Sequence, residues 1–202
     1  MTITAIKQQA RLQGRYSIYV DEKYAFSLSA DVLLAEGLHQ GQELNTDQLK
    51  HYKKLSADDK AYSLALAYVA RRMRSRYELT EYFRRKGYDE ALSKQIMDKL
   101  EILDFVNDST FAEAWVRNRR ILKPVSKRRL TQELRQKRIE GEIIDRVLAE
   151  DEADERNVLR ELIARKRKQT RYQDDLKLMR YLAGQGFGYD DIKSALSKDE
   201  EF

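Results

Sequence analysis

The chain has 202 residues, of which 42% are hydrophobic and 36% charged, with one Pro, 8 Gly and no Cys. This composition supports a packed core of mainly helical elements and excludes disulfides, thiolate nucleophiles and Cys metal sites. No apolar run is long enough to span a bilayer, and the polar, basic N-terminal stretch is unlike a signal peptide. We therefore expect a soluble, cytoplasmic protein.

The net charge of +5 is unevenly distributed along the chain. Residues 1–60 carry no net charge, residues 61–148 carry +7, and residues 149–202 carry −2. A local excess of positive charge indicates a surface that faces nucleic acid or an acidic partner. A solvated charged face is the alternative interpretation.

The first 55 residues predict a small α+β module. Alternating apolar residues indicate strands at Ile3–Gln9, Arg15–Val20 and Tyr24–Leu28, with a turn at Asp21–Lys23 and a further short strand at Gly41–Leu44. Capping residues predict a short helix at Asp31–Glu36 after Ser29, and a helix from Asn45 or Thr46 through Leu55. The latter helix is amphipathic, so it can cover one face of the sheet.

From Ser56 the apolar spacing becomes helical. Ser56 and Asp59 resemble a capping box, which predicts that a new helix begins there. Ser75 and Glu78 form a clearer box, and the helix that they start ends at Gly87, a residue suited to a left-handed helix end.

The helical part of the chain contains a repeat. The apolar residues Leu79, Leu130 and Leu178 recur in register, as do Phe83, Leu134 and Leu182, at offsets of 51 and 48 residues. The tripeptides KGY, KRI and QGF follow each pair. We therefore predict a mainly α protein with four parts: an α+β module at 1–58 and three-helix repeats at 59–106, 107–151 and 152–202. Such repeats stack into an elongated, curved array.

Several of these segments resemble the RecX family of bacterial regulatory proteins. The similarity is carried by RSRYEL at 74–79, KGY at 86–88, LDFVNDSTFAEAWVR at 103–117, KPVS at 123–126 and QELRQK at 132–137. It is strong over roughly residues 60–150 and weaker in the third repeat. The chain departs from the family in having Val125-Ser126 after Lys-Pro, and Arg138 where Gly is common. Arg138 must then end its helix without the conformational freedom of Gly.

The resemblance implies a protein without enzymatic activity, and we expect no cofactor. RecX-like proteins bind the recombinase RecA, especially its filament on single-stranded DNA, and limit filament growth, ATP hydrolysis and strand exchange in DNA repair, recombination and the SOS response. The resemblance thus implies RecA and its filament as partners. We also expect weak direct DNA binding, no membrane contact and a monomer. A direct DNA- or RNA-binding helical repeat protein is the alternative.

The candidate binding residues are the clustered cations of the basic segment. They are Arg71, Arg72, Arg74 and Arg76 near one helix junction, Lys86, then Arg117, Arg119, Arg120, Lys123, Lys127, Arg128 and Arg129 around Pro124, and Lys137. Clustered cations repel one another, and a bound anion relieves that repulsion. The dipole of the helix that precedes Pro124 gives Arg119 and Arg120 a structural explanation, whereas Lys127–Arg129 lie in a first turn, where the dipole disfavours them. Reversing Arg74 and Arg128 to Glu is expected to remove binding and keep the helices.

Other polar and aromatic residues favour structural roles. Trp115 lies on an apolar stripe and is expected in the core, while Tyr77 and Tyr88 are better placed for base stacking. His39 and His51 share no ligand spacing with carboxylates, so we assign them no metal or catalytic role. Helix capping by Asp108 explains its spacing from Asp104 better than a nuclease site does. There is no glycine-rich phosphate loop.

Overall fold

The structure is a computed structural model that describes residues 1–10, 12 and 14–199. It is mostly helical, with a small three-stranded antiparallel sheet at the N-terminus, as predicted. The elements are β1 Ile3–Gln8, β2 Arg15–Val20, β3 Lys23–Ser29, α1 Ala30–Ala35, α2 Thr46–Ala70, α3 Arg76–Lys86, α4 Glu90–Ile102, α5 Asp108–Leu122, α6 Lys127–Gln136, α7 Gly141–Ala149, α8 Glu155–Arg167, a 3₁₀ turn Thr170–Tyr172, α9 Asp175–Gly184 and α10 Tyr189–Asp199.

The sheet has the strand order β1-β2-β3, and α2 packs on it. Ile3, Ile18 and Leu28 are completely buried between them, and Phe26 stacks on Tyr52 of α2 with ring centroids 5.7 Å apart. The predicted strand at 41–44 is wrong, because only one bridge forms there. Residues 41–44 still lie against the start of β1: the Thr2–Glu43 bridge forms, and the backbone N–H groups of Gly41 and Leu44 donate to the carbonyls of Ile3 and Met1 at 2.8 and 2.7 Å.

The predicted helix boundary at Ser56 is also wrong, since α2 continues from Thr46 to Ala70. Ser56 Oγ donates to the Ser27 carbonyl at 2.6 Å. The Asp59 carboxylate accepts from Arg15 Nη1 at 2.8 Å and from the Ser29 backbone N–H at 2.8 Å. The two side chains have the composition of a capping box, but they bind the sheet and leave the helix uninterrupted.

The described residues form two compact units. One contains Met1–Arg72 and Tyr88–Leu100, and the other contains Met73–Gly87 and the chain from Glu101 onward. The first unit therefore holds the sheet, α1, α2 and most of α4, and the second holds α3 and α5 to α10. The domain boundaries proposed from the sequence repeat remain predictions.

The helices α3, α6 and α9 share one local design. Each begins after a side-chain cap, from Ser75, Ser126 and Asp174 in turn. Each carries a completely buried Leu at its fourth position, and each is followed by a residue with positive φ. These residues are Leu79, Leu130 and Leu178, and Gly87 at +70°, Arg138 at +58° and Gly186 at +94°. The sequence register of the repeat is thus confirmed in the local structure.

A repeated carboxylate contact joins helices of the second unit. Asp108 Oδ1 accepts from the Arg76 backbone N–H, and Glu155 Oε1 accepts from the Lys127 backbone N–H, both at 2.8 Å. Each acid is the first residue of one helix and caps the start of another, where backbone N–H groups lack helical partners. Asp108 was expected to cap its own helix, but the residue that caps α5 is Asn107.

Candidate anion-binding groove

A groove of about 830 Å³ runs beside α6 in the second unit. We call it the arginine groove, because four of its lining residues are Arg128, Arg129, Arg135 and Arg138. The other lining residues are Tyr77, Thr131, Gln132, Gln136, Ala183, Gly184 and Gly186. Asp and Glu are absent from this lining, so the groove offers a concentrated positive charge.

The local structure of α6 places these arginines together. Ser126 Oγ accepts from the Arg129 backbone N–H at 3.1 Å and starts the helix. Leu130 and Leu134 then turn into the core, where both are completely buried. Residues 128, 132 and 135 follow the i, i+4, i+7 spacing of a single helix face, so they point away from that core.

The groove arginines have few internal partners. Arg128 Nε donates to the Gly186 carbonyl at 3.0 Å, and the guanidinium of Arg138 lies 5.8 Å from the centroid of the Tyr77 ring. Among the described residues, no carboxylate pairs with Arg128, Arg135 or Arg138. An anion in the groove would therefore relieve repulsion between cations without displacing an existing salt bridge from these three side chains.

The turn between α9 and α10 forms one wall of the groove. Gly186 has φ +94°, and a Cβ on it would lie 2.8 Å from the Cβ of Arg129. The Gln185 carbonyl also accepts from the Ser126 backbone N–H at 3.1 Å. This close approach requires Gly and fixes the wall against the start of α6.

Three of the candidate cations are neutralised inside the protein. Arg119 donates twice to the Glu133 carboxylate, at 2.8 and 2.9 Å. The other two pairs are Arg120 with Asp151 at 2.6 Å and Lys137 with Glu78 at 2.6 Å. These pairs, of which Arg120–Asp151 is the most buried, hold elements together, and each carboxylate offsets the charge of its cation.

Lys127 has a structural partner that the sequence did not indicate. Its Nζ donates to the carbonyls of Leu148 and Asp151 at 3.2 and 3.0 Å, at the end of α7. A cation at the C-terminal end of a helix is favourable. The side chain thus reaches a favourable dipole even though its own backbone lies in a first turn.

The remaining candidates are distributed over the surface of the two units. Arg71 and Arg72 belong to the first unit and Arg74 and Arg76 to the second. Arg76 pairs with Glu101 at 2.6 Å. Lys86 lies over the Tyr82 ring at 5.7 Å, Lys123 is exposed, and Arg117 lines a separate cleft with Glu113 and Glu150.

Sequence reasoning missed two groove residues, Arg135 and Arg138, as binding residues. The spacing of Arg128, Gln132 and Arg135 was available as a pattern on one face of α6. The contribution of the α9–α10 turn could not be found in the sequence pattern, because Arg128 and Gly186 are 58 residues apart. Only the tertiary structure brings that turn to the groove.

The surroundings of Asp108, Glu81 and Tyr62 shift the pKa values of these side chains. Burial raises the pKa of the Asp108 carboxyl, and the hydrogen bond from the Arg76 backbone N–H and the charge of Arg76 oppose that shift. A hydrogen bond from Arg84 lowers the pKa of Glu81. Burial raises the pKa of Tyr62.

The described part of the chain contains no cluster of three or more His, Cys, Asp or Glu side chains arranged to hold a metal ion. Nor is any of its helices both long and apolar enough to traverse a bilayer.

Three family models match the chain. They are the regulatory protein RecX N-terminal domain at residues 1–45, the RecX first three-helix domain at 61–100 and the RecX second three-helix domain at 107–148. The matched residues include the sheet module, parts of both compact units and the whole of the helix α6 that bears the groove.

Relatives in several bacteria carry the name regulatory protein RecX. The chain is 34% identical over 153 residues to that of Lactobacillus gasseri, and this match covers 76% of this chain and 56% of the relative. The chain thus spans little more than half of that longer protein. It is 31% identical over 201 residues to that of Bacillus pumilus, 97% of this chain and 76% of the relative. It is 28% identical over 199 residues to that of Caldanaerobacter subterraneus, and this match covers 98% of this chain and 99% of the relative.

Two crystal structures share the fold. A regulatory protein RecX is 26% identical, with a TM-score of 0.70 over 97% of this chain and 98% of that one. RecX from Lactobacillus salivarius is 23% identical, with a TM-score of 0.58 over 72% of this chain and 97% of that one, which supports the fold alone. The sheet module and the three-helix domains define a modular, mostly helical protein. Together with the family models and the Bacillus pumilus relative, they show that the chain belongs to the RecX family of regulatory proteins.

Proposed function

We propose that this protein binds RecA and RecA filaments on single-stranded DNA, and that it mainly inhibits filament growth, ATP hydrolysis and strand exchange. The observation that carries this proposal is the arginine groove, with four arginines and no carboxylate in its lining. A nucleoprotein filament offers such a groove a continuous phosphodiester chain. Membership of the RecX family supports RecA as the protein partner.

The groove suits phosphate chemically. A guanidinium group donates two parallel hydrogen bonds to a phosphate, and charge-assisted bonds of this kind are stronger than neutral ones. Arg135 and Arg138 are exposed and lack carboxylate partners among the described residues, so they can rearrange onto a ligand at little cost. The protein would act by occupancy, without chemistry of its own.

The test is the ATPase rate of RecA on single-stranded DNA with substoichiometric protein added. We expect inhibition by the natural chain. The Arg128→Glu, Arg135→Glu double variant should inhibit much less and keep its helical content by circular dichroism, since both side chains are exposed. Full inhibition by that variant would reject the groove as the contact surface. No inhibition by the natural chain, together with no capture of RecA filaments, would reject the proposed function.

The second candidate function is direct binding of DNA or RNA without dependence on RecA. The exposed Tyr77 ring beside Arg138 favours it, because a flat aromatic face next to a cation is a common platform for a base. Binding to bare single strands should then weaken with salt, with a log-log slope of about −0.7 per neutralised phosphate. Filament binding should depend more on RecA and its nucleotide state.

A further inference from the structure

Glu133 is a buried carboxylate directly behind the arginine groove. The residue is 7% exposed and lies on α6. Its Oε2 accepts from Trp115 Nε1 at 2.9 Å and from Arg119 Nε at 2.8 Å, while its Oε1 accepts from Arg119 Nη2 at 2.9 Å. These three hydrogen bonds fix the carboxylate in place.

Arg129 is a second and looser cationic partner of the same carboxylate. Its Nε lies 3.4 Å from Glu133 Oε1, and its side chain is 39% exposed and lines the groove. Its Nη1 donates to Gln132 Oε1 at 3.1 Å. Arg119 already satisfies both carboxylate oxygens, so the contact of Arg129 is the easier one to give up.

The fluorescence of Trp115 is sensitive to the same carboxylate, because its indole N–H donates to Glu133. The Arg119 guanidinium lies 5.3 Å from the Trp115 ring centroid, and Lys137 Nζ lies 5.2 Å from it. The indole is thus surrounded by charged groups that balance one another. It is the only Trp of the chain, so its emission comes from one site.

We propose that Glu133 is a positioning residue that holds Arg129 in the groove wall until a phosphate of a bound single strand replaces the Glu133 carboxylate as the partner of Arg129. This inference rests on the proposed function of the arginine groove and adds how the groove responds to its ligand. Departure of Arg129 leaves Glu133 with Arg119 and Trp115 alone. The electrostatic field at the indole then changes, and its emission changes with it.

The experiment titrates the full chain with an oligothymidylate. Anisotropy of a labelled oligonucleotide measures binding, and Trp115 emission with unlabelled oligonucleotide measures the change at Glu133. For the natural chain we expect an emission change with the same midpoint as binding. Arg129→Gln should bind several-fold more weakly and lose the emission change at saturation.

Arg135→Gln is the matched control. It removes a groove arginine that has no contact with Glu133, so it should also weaken binding several-fold but keep the full emission change at saturation. Glu133→Gln should tighten binding if circular dichroism shows that it folds. The pair of arginine variants carries the test, because loss of a buried carboxylate leaves Arg119 uncompensated.

Each outcome decides one proposal. Three results would overturn the role of Glu133 and leave the groove proposal standing. The first is no emission change from the natural chain at saturation, the second is that Arg129→Gln keeps the change, and the third is that Arg135→Gln loses it. Failure of the natural chain to bind the oligonucleotide overturns this inference. Inhibition of RecA in that case would keep the proposed function and point to a protein surface as the partner.

Discussion

At the scale of single residues, the ends of α3, α6 and α9 show how the sequence meets a backbone constraint. Gly87 and Gly186 adopt positive φ without strain, while Arg138 adopts φ +58° with a side chain. A non-glycine residue in this region costs about 1 kcal/mol. Arg138 thereby gains a position beside Tyr77 in the arginine groove, which Gly could not supply.

Gly186→Ala tests the close packing of the groove wall. The added Cβ would approach Arg129 Cβ to 2.8 Å at a φ of +94°, so we expect a loss of about 1–3 kcal/mol in the free energy of unfolding. Gly184→Ala is the control, since its Cβ meets nothing within 4 Å and it lies in α9, where Ala is favoured. Urea denaturation measures both. Equal stability of the two variants would contradict this account of the wall.

At the scale of elements, the contact of Asp108 with the start of α3 is a junction made by one side chain. Its carboxylate belongs to the first turn of α5 and accepts from the first backbone N–H of α3. Glu155 makes the equivalent contact between α8 and α6. A short helix is marginal alone, so such junctions stabilise both partners.

The pH dependence of stability tests this junction. Because burial raises the pKa of Asp108 in the folded state, its contribution to the unfolding free energy is largest below its ordinary pKa of about 3.8 and falls as pH rises through the folded pKa. Asp108→Asn keeps an oxygen acceptor and does not titrate. The stability of Asp108→Asn relative to the natural chain should therefore increase as pH rises across that window.

Asp108→Ala serves as the control for the hydrogen bond. It removes the acceptor of the Arg76 backbone N–H and should cost about 1 kcal/mol near neutral pH. Denaturant titrations over a pH series measure both variants. A stability difference between Asp108→Asn and the natural chain that is flat, or that falls with rising pH, would contradict the shifted pKa.

At the scale of the whole molecule, the total charge of +5 says less than its location. Several cations of the basic segment form salt bridges within the protein, including Arg119, Arg120 and Lys137. Others line one groove without acidic neighbours in its lining. Screening limits the reach of a surface charge to about 10 Å at 0.1 M salt, so local arrangement decides anion binding.

Charge reversal with a matched control separates net charge from location. Arg135→Glu with Arg138→Glu changes the net charge as much as Lys53→Glu with Lys54→Glu on the exposed face of α2. The groove pair should weaken oligothymidylate binding at least tenfold and reduce the magnitude of the log-log salt slope by about 1.4, the value for two phosphate contacts. The lysine pair should leave the slope unchanged. Equal effects would show that net charge alone drives binding.

The sequence by itself determined the features that depend on neighbours within a few residues. The three strands, the cap at Ser75 and the buried register of the helices were predicted from local spacing and are present. These features follow because capping, helical periodicity and backbone sterics act over about one turn of chain. The RecX family was likewise indicated by short segments.

The tertiary structure alone decided where the polar side chains go. Ser56 and Asp59 have the pattern of a helix start but bind the sheet, and Arg119 and Arg120 meet carboxylates 14 and 31 residues away. The arginine groove likewise needs a turn 58 residues beyond Arg128. Charged side chains pair with groups that are close in space, and a single sequence does not specify the distances between residues that are far apart along the chain.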